Sequence, residues 1–315
     1  MDASFVSNLL WPLLRLLMGM ALALLAANLL ETLQWTRHLA RLATPLARFA
    51  RLGDAAGAAF ALAFLSPAAA NGLLSQAHNE GALSRKELLF ANLFNSFPNF
   101  LVHLPALFLL AWPALGPPAA SYAALCLLAA AARTFLTMLA ARMLLPPPAH
   151  AGHAPLRDPP RKNFREALRK AWERFCRRVP RLVCVTVPVY VLMYLLQKHG
   201  WFEAAQSRLA EHADWLAFLK PQALGIIVLH LAAETGAALA AAGSMFNTGG
   251  LTSSEVVLAL LVGNIVSTPM RAIRHQLPSY AGFFKPVPAL ELVFVNQVLR
   301  AASMTCVAWL YWHLI

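Results

Sequence analysis

Eight long apolar stretches dominate the chain, at approximately 9–30, 55–75, 88–112, 119–145, 179–197, 223–246, 256–270 and 287–315. A helix needs about 20 apolar residues to cross a bilayer core, so this pattern predicts a bundle of membrane helices. Two stretches are interrupted midway, one at Ser66-Pro67 and one at Glu234-Thr235-Gly236, which predicts two helical arms joined by a turn in each. Between the stretches lie two amphipathic pieces. Residues 34–52 set Arg37, Arg41, Arg48 and Arg51 against Trp35, Leu39, Leu42 and Phe49. Residues 201–219 set Glu203, Arg208, Glu211 and Asp214 against Trp201, Phe202, Leu209, Trp215 and Phe218. Helices of this kind lie in the membrane interface. The chain opens Met-Asp without a basic region, and its first apolar run is too long for a signal peptide, so 9–30 is expected to be a retained membrane helix.

Composition sharpens this. Apolar residues make up 59% of the 315 positions, charged residues only 13%, and the mean hydropathy is +0.57. A soluble surface needs about a quarter charged residues. A cytosolic enzyme, a disordered chain and a secreted disulfide scaffold are excluded; the expected class is an all-α polytopic membrane protein. The net charge of +12 then reads as membrane topology and not as a nucleic-acid surface. Cys126, Cys176, Cys184 and Cys306 show no paired spacing, and His150 and His153 sit in a Pro/Ala-rich loop without further ligands, so no metal site is expected. No phosphate-binding loop, metalloprotease helix or nucleophile elbow is present, and no enzyme activity is expected.

The charges also set the number of crossings. If all eight stretches crossed, the basic loops 34–52 and 157–181 would face opposite sides, against the positive-inside bias. If 55–75 and 223–246 instead enter and return on one side, 19 Lys and Arg fall in inside loops (32–54, 77–87, 147–181 and 271–286) against only Lys198, Arg208 and Lys220 outside. Arg15, Arg133, Arg142 and Arg300 lie within spans. The expectation is six spanning helices plus two re-entrant hairpins in a bacterial-type inner membrane, with both termini outside.

The two halves match at an offset near 168. Pro12 pairs with Pro180, Asn79 with Asn247, Ser84 with Thr252 and Glu87 with Glu255; Asn95 pairs with Asn264 and Arg133 with Arg300 within one residue of that offset. Ser84-x-x-Glu87 and Thr252-x-x-Glu255 are each a capping box that starts a helix after a hairpin-ending glycine, Gly81 or Gly250. Three crossings per copy is odd, so the second copy is expected to be inverted. The expected organisation is a first repeat over 1–147, a basic cytoplasmic linker over 148–178 and a second, inverted repeat over 179–315. Such repeats with half-membrane hairpins and broken helices are the architecture of secondary transporters.

Polar residues inside the spans mark the candidate site. Asn95, beside Pro98, and Asn264 and Thr268, beside Pro269, either satisfy backbone freed by the prolines or meet a polar ligand or Na⁺. Arg133 and Arg300 sit mid-helix, where each costs about 2.5–3.5 kcal/mol on insertion scales unless it finds a partner. Glu234 and Glu291 are the available carboxylates, and Asn296 and Gln297 share a helical face with Arg300. The arginines either tie helices together or hold an anionic or sugar-like substrate. Glu234, followed by Thr235 at the second hairpin tip, is a proton carrier, a cation ligand or a partner of a membrane arginine.

The stretches LSPAAANGLLSQAHNEGALSRKELLFANLFNSFPNF (65–100) and AAETGAALAAAGSMFNTGGLTSSEVVLALLVGNIVSTP (232–269) share one order: hairpin, Asn-x-Gly-type turn, capping box, then an Asn- and Pro-broken helix. This order resembles the nucleoside-recognition, or Gate, domain of the concentrative nucleoside transporter core, the membrane part of ferrous-iron transporter B-type proteins, and spore maturation proteins. The resemblance implies two Gate copies covering nearly the whole chain. By analogy with the nucleoside transporters it implies solute and Na⁺ contacts at the hairpin tips and broken helices, here Asn95, Glu234, Thr235 and Asn264; Ser66 and Asn71, in the first hairpin, join the expected substrate- and ion-binding set. The first tip, Ser66-Pro67, carries no carboxylate. The expected function is a small secondary transporter of a small polar or anionic solute, with Na⁺ or H⁺ as coupling ion and no other cofactor. A non-transporting membrane partner or regulatory protein resembling the spore maturation proteins, and divalent metal transport, are the alternatives. The expected partners are the lipid bilayer, the solute and, compatibly, further copies of the chain, with no nucleic acid.

Overall fold

The computed structural model describes residues 10–33, 39, 43–147, 164–199, 219–232 and 235–315. Among these the fold is all-α, without strands. The chain forms α1 (Trp11–Thr32), α2 (Ala43–Phe49), α3 (Asp54–Ala63), α4 (Pro67–Asn79), α5 (Arg85–Phe94), α6 (Ser96–Leu115) and α7 (Pro117–Leu144). After the linker come α8 (Phe164–Lys198), α9 (Pro221–Ala232), α10 (Thr235–Asn247), α11 (Ser253–Val266), the short α12 (Thr268–Arg271), a π turn (Ala272–Gln276), α13 (Leu277–Ala281) and α14 (Pro286–Leu314). Three helical stretches, Arg85–Leu115, Pro117–Leu144 and Pro286–Leu314, are long and apolar enough to cross a membrane. Large apolar side chains stand exposed along α7 (Leu128, Phe135, Leu136, Met143) and α14 (Leu290, Phe294, Val298, Leu310). Such faces need lipid around them. This is a membrane protein.

Local chemistry explains where the helices break. Ser66 ends the α3–α4 turn as an extended N-cap whose hydroxyl accepts the Ala69 N–H at 3.3 Å, and Pro67 supplies the first helical position. α4 closes on Gly81 at φ +78°, with Ala82 and Leu83 N–H both bonding Ala77 C=O. α10 closes in the same way on Gly249 at φ +75°, with Gly250 and Leu251 N–H bonding Met245 C=O. Only a residue without Cβ adopts that left-handed backbone cheaply. The hairpin-ending glycine of the second half is therefore Gly249, and not Gly250 as the sequence pattern suggested. Capping boxes follow both turns: Ser84 with Glu87 opens α5, and Thr252 with Glu255 opens α11.

Two packing clusters flank the middle of the molecule. One gathers α1, the C-terminal end of α6 and α9–α11; the other gathers α2–α5. α7 and α14 pack together and run antiparallel through both. The early part of α7 (Tyr122, Cys126) and the late part of α14 (Met304, Val307) lie in the first cluster, whereas Ala141 and Ala289 lie in the second. The contacts depend on small residues, as apolar side chains gain little from packing against each other rather than lipid. A Cβ on Gly19 would stand 2.5 Å from Pro113 Cβ, so α1 and α6 touch there.

Two expected boundaries shift. The basic residues from Phe164 onward are not a loop, because they form the first turns of the 35-residue α8. Residues 271–286, expected as a loop, are mostly helical, and Arg271 ends α12 instead of facing the aqueous phase. The amphipathic piece 201–219 lies outside the described residues except for Leu219, as do His150, His153 and Glu234.

Candidate functional site

Between the two clusters lies a cavity of about 730 Å³ where the helix breaks converge. The first hairpin turn reaches it through Ser66, α4 through Asn71, the α5–α6 junction through Asn95, and the start of α10 through Thr235. Asn264, Arg133, Asn296 and Arg300 come from α11, α7 and α14. Eight of the ten residues singled out from the sequence thus line one cavity. Thr268 does not; its hydroxyl donates to Asn264 C=O at 3.1 Å and bridges the break between α11 and α12. Glu234 lies outside the described residues.

Asn264 is the hub. Its side-chain N–H donates to Tyr122 OH at 2.9 Å, and its Oδ1 accepts from Arg271 Nη2 at 2.7 Å and Arg300 Nη2 at 3.2 Å. Arg271 Nη2 also donates to Asn264 C=O and to Ser267 Oγ, both at 2.7 Å. The matched position in the first half behaves differently. Asn95 sits at the break itself, whereas Asn264 lies three residues before the corresponding break at Ser267. Asn95 is buried, and neither its Nδ2 nor its Oδ1 has a hydrogen-bond partner. On the same side, Tyr280 OH donates to Asn92 Oδ1 and Asn92 Nδ2 donates to Asn71 Oδ1, each at 3.1 Å.

The arginines do not find the carboxylates considered from the sequence. Glu291 Oε2 accepts from Arg85 Nε at 2.7 Å on the surface, away from Arg300. Gln297 turns to Gln276 and leaves Asn296 on the cavity side. Arg133 is 9% exposed and its Nε has no acceptor. Among the described residues that line the cavity there is no Asp or Glu. No group of three or more His, Cys, Asp and Glu side chains with metal-binding geometry occurs among the described residues either.

Arg271, Tyr122, Cys126 and Tyr280 also line the cavity and were not singled out from the sequence. Their signal was present as spacing. Tyr122, Cys126, Ala130 and Arg133 fall on one face of α7, and Arg271 lies seven residues after Asn264 and four after Ser267. At the edge of the molecule, Lys220 Nζ meets Glu255 Oε1 at 2.9 Å. Partial burial works to raise the Glu255 pKa, but the Lys220 ammonium and the Thr252 backbone N–H outweigh it and hold the carboxyl below the ordinary glutamate value.

The chain is similar to two uncharacterized proteins of Methanocaldococcus jannaschii. MJ0871 is 25% identical over 264 residues, 84% of this chain and 81% of that protein. MJ1556 is 24% identical over 254 residues, 80% of each. Both matched lengths exceed either half of the chain, so the similarity runs across both. No protein-family model and no solved structure matches the chain.

Proposed function

We propose that this protein is a small secondary transporter of the nucleoside-recognition, or Gate, type, moving a small polar or anionic solute with Na⁺ or H⁺. In this reading 1–147 and 179–315 are inverted repeats, joined by the basic segment 148–178. The helix pairs α3–α4 and α9–α10 are re-entrant hairpins, six helices span the bilayer, and both termini lie outside a bacterial-type inner membrane. The observation that carries the reading is the convergence of Ser66 and Asn71, of Thr235 at the start of α10, and of both helix breaks on one polar cavity. A membrane protein gains nothing from burying Asn95 with both amide atoms unpaired unless something else occupies that space in the working cycle. Irregular backbone at membrane depth survives where it lines such a cavity. Movement of the hairpins relative to α7 and α14 would open the cavity to each side in turn. Glu234, beside the lining residue Thr235, is the coupling-ion candidate.

The test is uptake into proteoliposomes containing the purified full chain, with radiolabelled uridine, glycerol phosphate and succinate, under imposed Na⁺ or pH gradients. Gradient-driven accumulation of at least one solute supports the reading. No accumulation under either gradient overturns it and favours a non-transporting membrane partner.

A further inference from the structure

We infer that the cavity is built for a multiply charged oxyanion, a phosphate- or diphosphate-bearing ligand gripped by Arg133, Arg271 and Arg300; this rests on reading the cavity as the solute site. Four guanidiniums line it: Arg133, Arg271 and Arg300 from the helices around the break, and Arg174 from α8; Arg271 and Arg300 lie close enough to share one acceptor, Asn264 Oδ1. Guanidinium stays protonated in proteins, so these are four fixed positive charges on one cavity wall. Asn264 satisfies donors of two of them but contributes no negative charge.

The charge count is decisive. No described lining residue is acidic. Even if Glu234 supplies one negative charge from beside Thr235, an excess of three positive charges remains. A neutral solute leaves that excess in place, and a monoanion removes a third of it. Only a multiply charged anion removes most of it.

The donor chemistry points the same way. Arginine presents a planar fork that fits phosphate oxygens in pairs, and Arg133 Nε and Arg271 Nε both lack acceptors. The first turns of α4 and α6 also begin at the cavity wall, at Ser66-Pro67 and Asn95-Ser96, and helix N-termini favour negative charge. The volume exceeds what a bare phosphate fills and falls in the range of organic-ligand pockets. The unpaired amide of Asn95, which can donate and accept, is suited to the uncharged remainder of the ligand. Such a headgroup belongs equally to a soluble phosphate ester and to an anionic lipid.

The experiment is a titration of the purified full chain in phosphatidylcholine nanodiscs with inorganic pyrophosphate, read by calorimetry and by the thermal unfolding midpoint, with uridine as neutral control. The inference expects saturable pyrophosphate binding with stabilisation, and weakening by about tenfold or more in Arg133→Gln and in Arg300→Gln. If a glutamine variant fails to fold, Arg133→Lys, which keeps the charge and loses the fork, is expected to bind with intermediate affinity. Nanodiscs doped with phosphatidic acid separate the two sources: loss of pyrophosphate binding there assigns the site to a lipid headgroup, and unchanged binding assigns it to a soluble ester. Pyrophosphate that binds no better than uridine, or equally well in the glutamine variants, overturns the inference. Binding without gradient-driven uptake would keep the oxyanion site and remove the transport reading. Uridine uptake insensitive to Arg300→Gln would do the reverse.

Discussion

Arg271 and Arg300 meet on a single oxygen: both donate to Asn264 Oδ1, at 2.7 and 3.2 Å. Two like charges on one neutral acceptor are held against their repulsion by the packing of α11, α12 and α14. A carboxylate at this point would serve the same donors better, and the chain places an amide there.

Asn264→Asp is therefore expected to stabilise the fold, by about 1–3 kcal/mol, because both hydrogen bonds become charge-assisted. The Tyr122 hydroxyl, now an acceptor for Asn264 Nδ2, can turn and donate instead. The same variant should bind pyrophosphate more weakly, since one counter-charge is now built in. Thermal unfolding with and without pyrophosphate checks both, and a destabilised variant that binds as tightly as the parent would contradict the account of the hub.

The long helices are legible in the sequence because each is an apolar run bounded by turn chemistry, and Pro67, Gly81 and the two capping boxes mark their ends by mechanisms local to the chain. Arg271 is not legible in that way. It follows Ser267-Thr268-Pro269, which reads as the end of a span, yet Pro269 occupies the first turn of α12 and the helix carries Arg271 back over Asn264. The pairing of Arg300 with Glu291 fails on distance: nine residues along a helix is about 13 Å. Glu291 instead meets Arg85, 206 positions away in the chain. Hydrophobic pattern finds elements well, whereas the partners of buried charges depend on which helix faces meet.

Gly19 tests the α1–α6 contact. Its missing Cβ leaves room for Pro113, and the added methyl of Gly19→Ala would begin 2.5 Å from Pro113 Cβ. Relief requires α1 to move, at about 1–3 kcal/mol. A lowered unfolding midpoint in detergent, restored in part by the double change with Pro113→Ala, is the expected result; an unchanged midpoint would show the helices are not in tight contact.

The proposed inverted arrangement would place the two capping boxes on opposite membrane faces. In a background lacking the exposed Cys176, Cys184 and Cys306, Arg85→Cys and Ala151→Cys should label from the cytoplasm. Ser253→Cys, beside the second box, should label from outside. Labelling of Arg85→Cys and Ser253→Cys from one side would remove the inversion and with it the re-entrant assignment.

The Lys220–Glu255 pair sets a modest acid sensitivity. Because the folded carboxyl titrates below its ordinary value, its contribution is present above the unfolded glutamate value and is lost as pH falls through the folded one. Both partners are partly exposed, so the effect is below about 1 kcal/mol. Glu255→Gln keeps the capping-box geometry and removes the charge. The drop in unfolding midpoint between pH 7 and pH 3 should be smaller in this variant than in the parent, and an equal drop would assign the acid sensitivity to other groups.

Asn95 separates a structural role from a ligand role. A buried amide that held the α5–α6 junction together would be hydrogen-bonded, and its removal would cost stability. Asn95 instead leaves donor and acceptor unpaired at the cavity wall, while the backbone around it is already satisfied by Asn95 N–H to Ala91 C=O and Asn99 N–H to Asn95 C=O. Replacing an unsatisfied buried polar group by a small apolar one is neutral or stabilising, by about 1 kcal/mol. Asn95→Ala should therefore fold and insert with an unchanged or raised unfolding midpoint, yet lose affinity for the organic solute while retaining pyrophosphate binding, because the arginines are untouched. Isothermal titration of both ligands against the variant reads this split. A fall in stability with solute binding intact would make Asn95 a structural residue and place the uncharged part of the ligand elsewhere in the cavity.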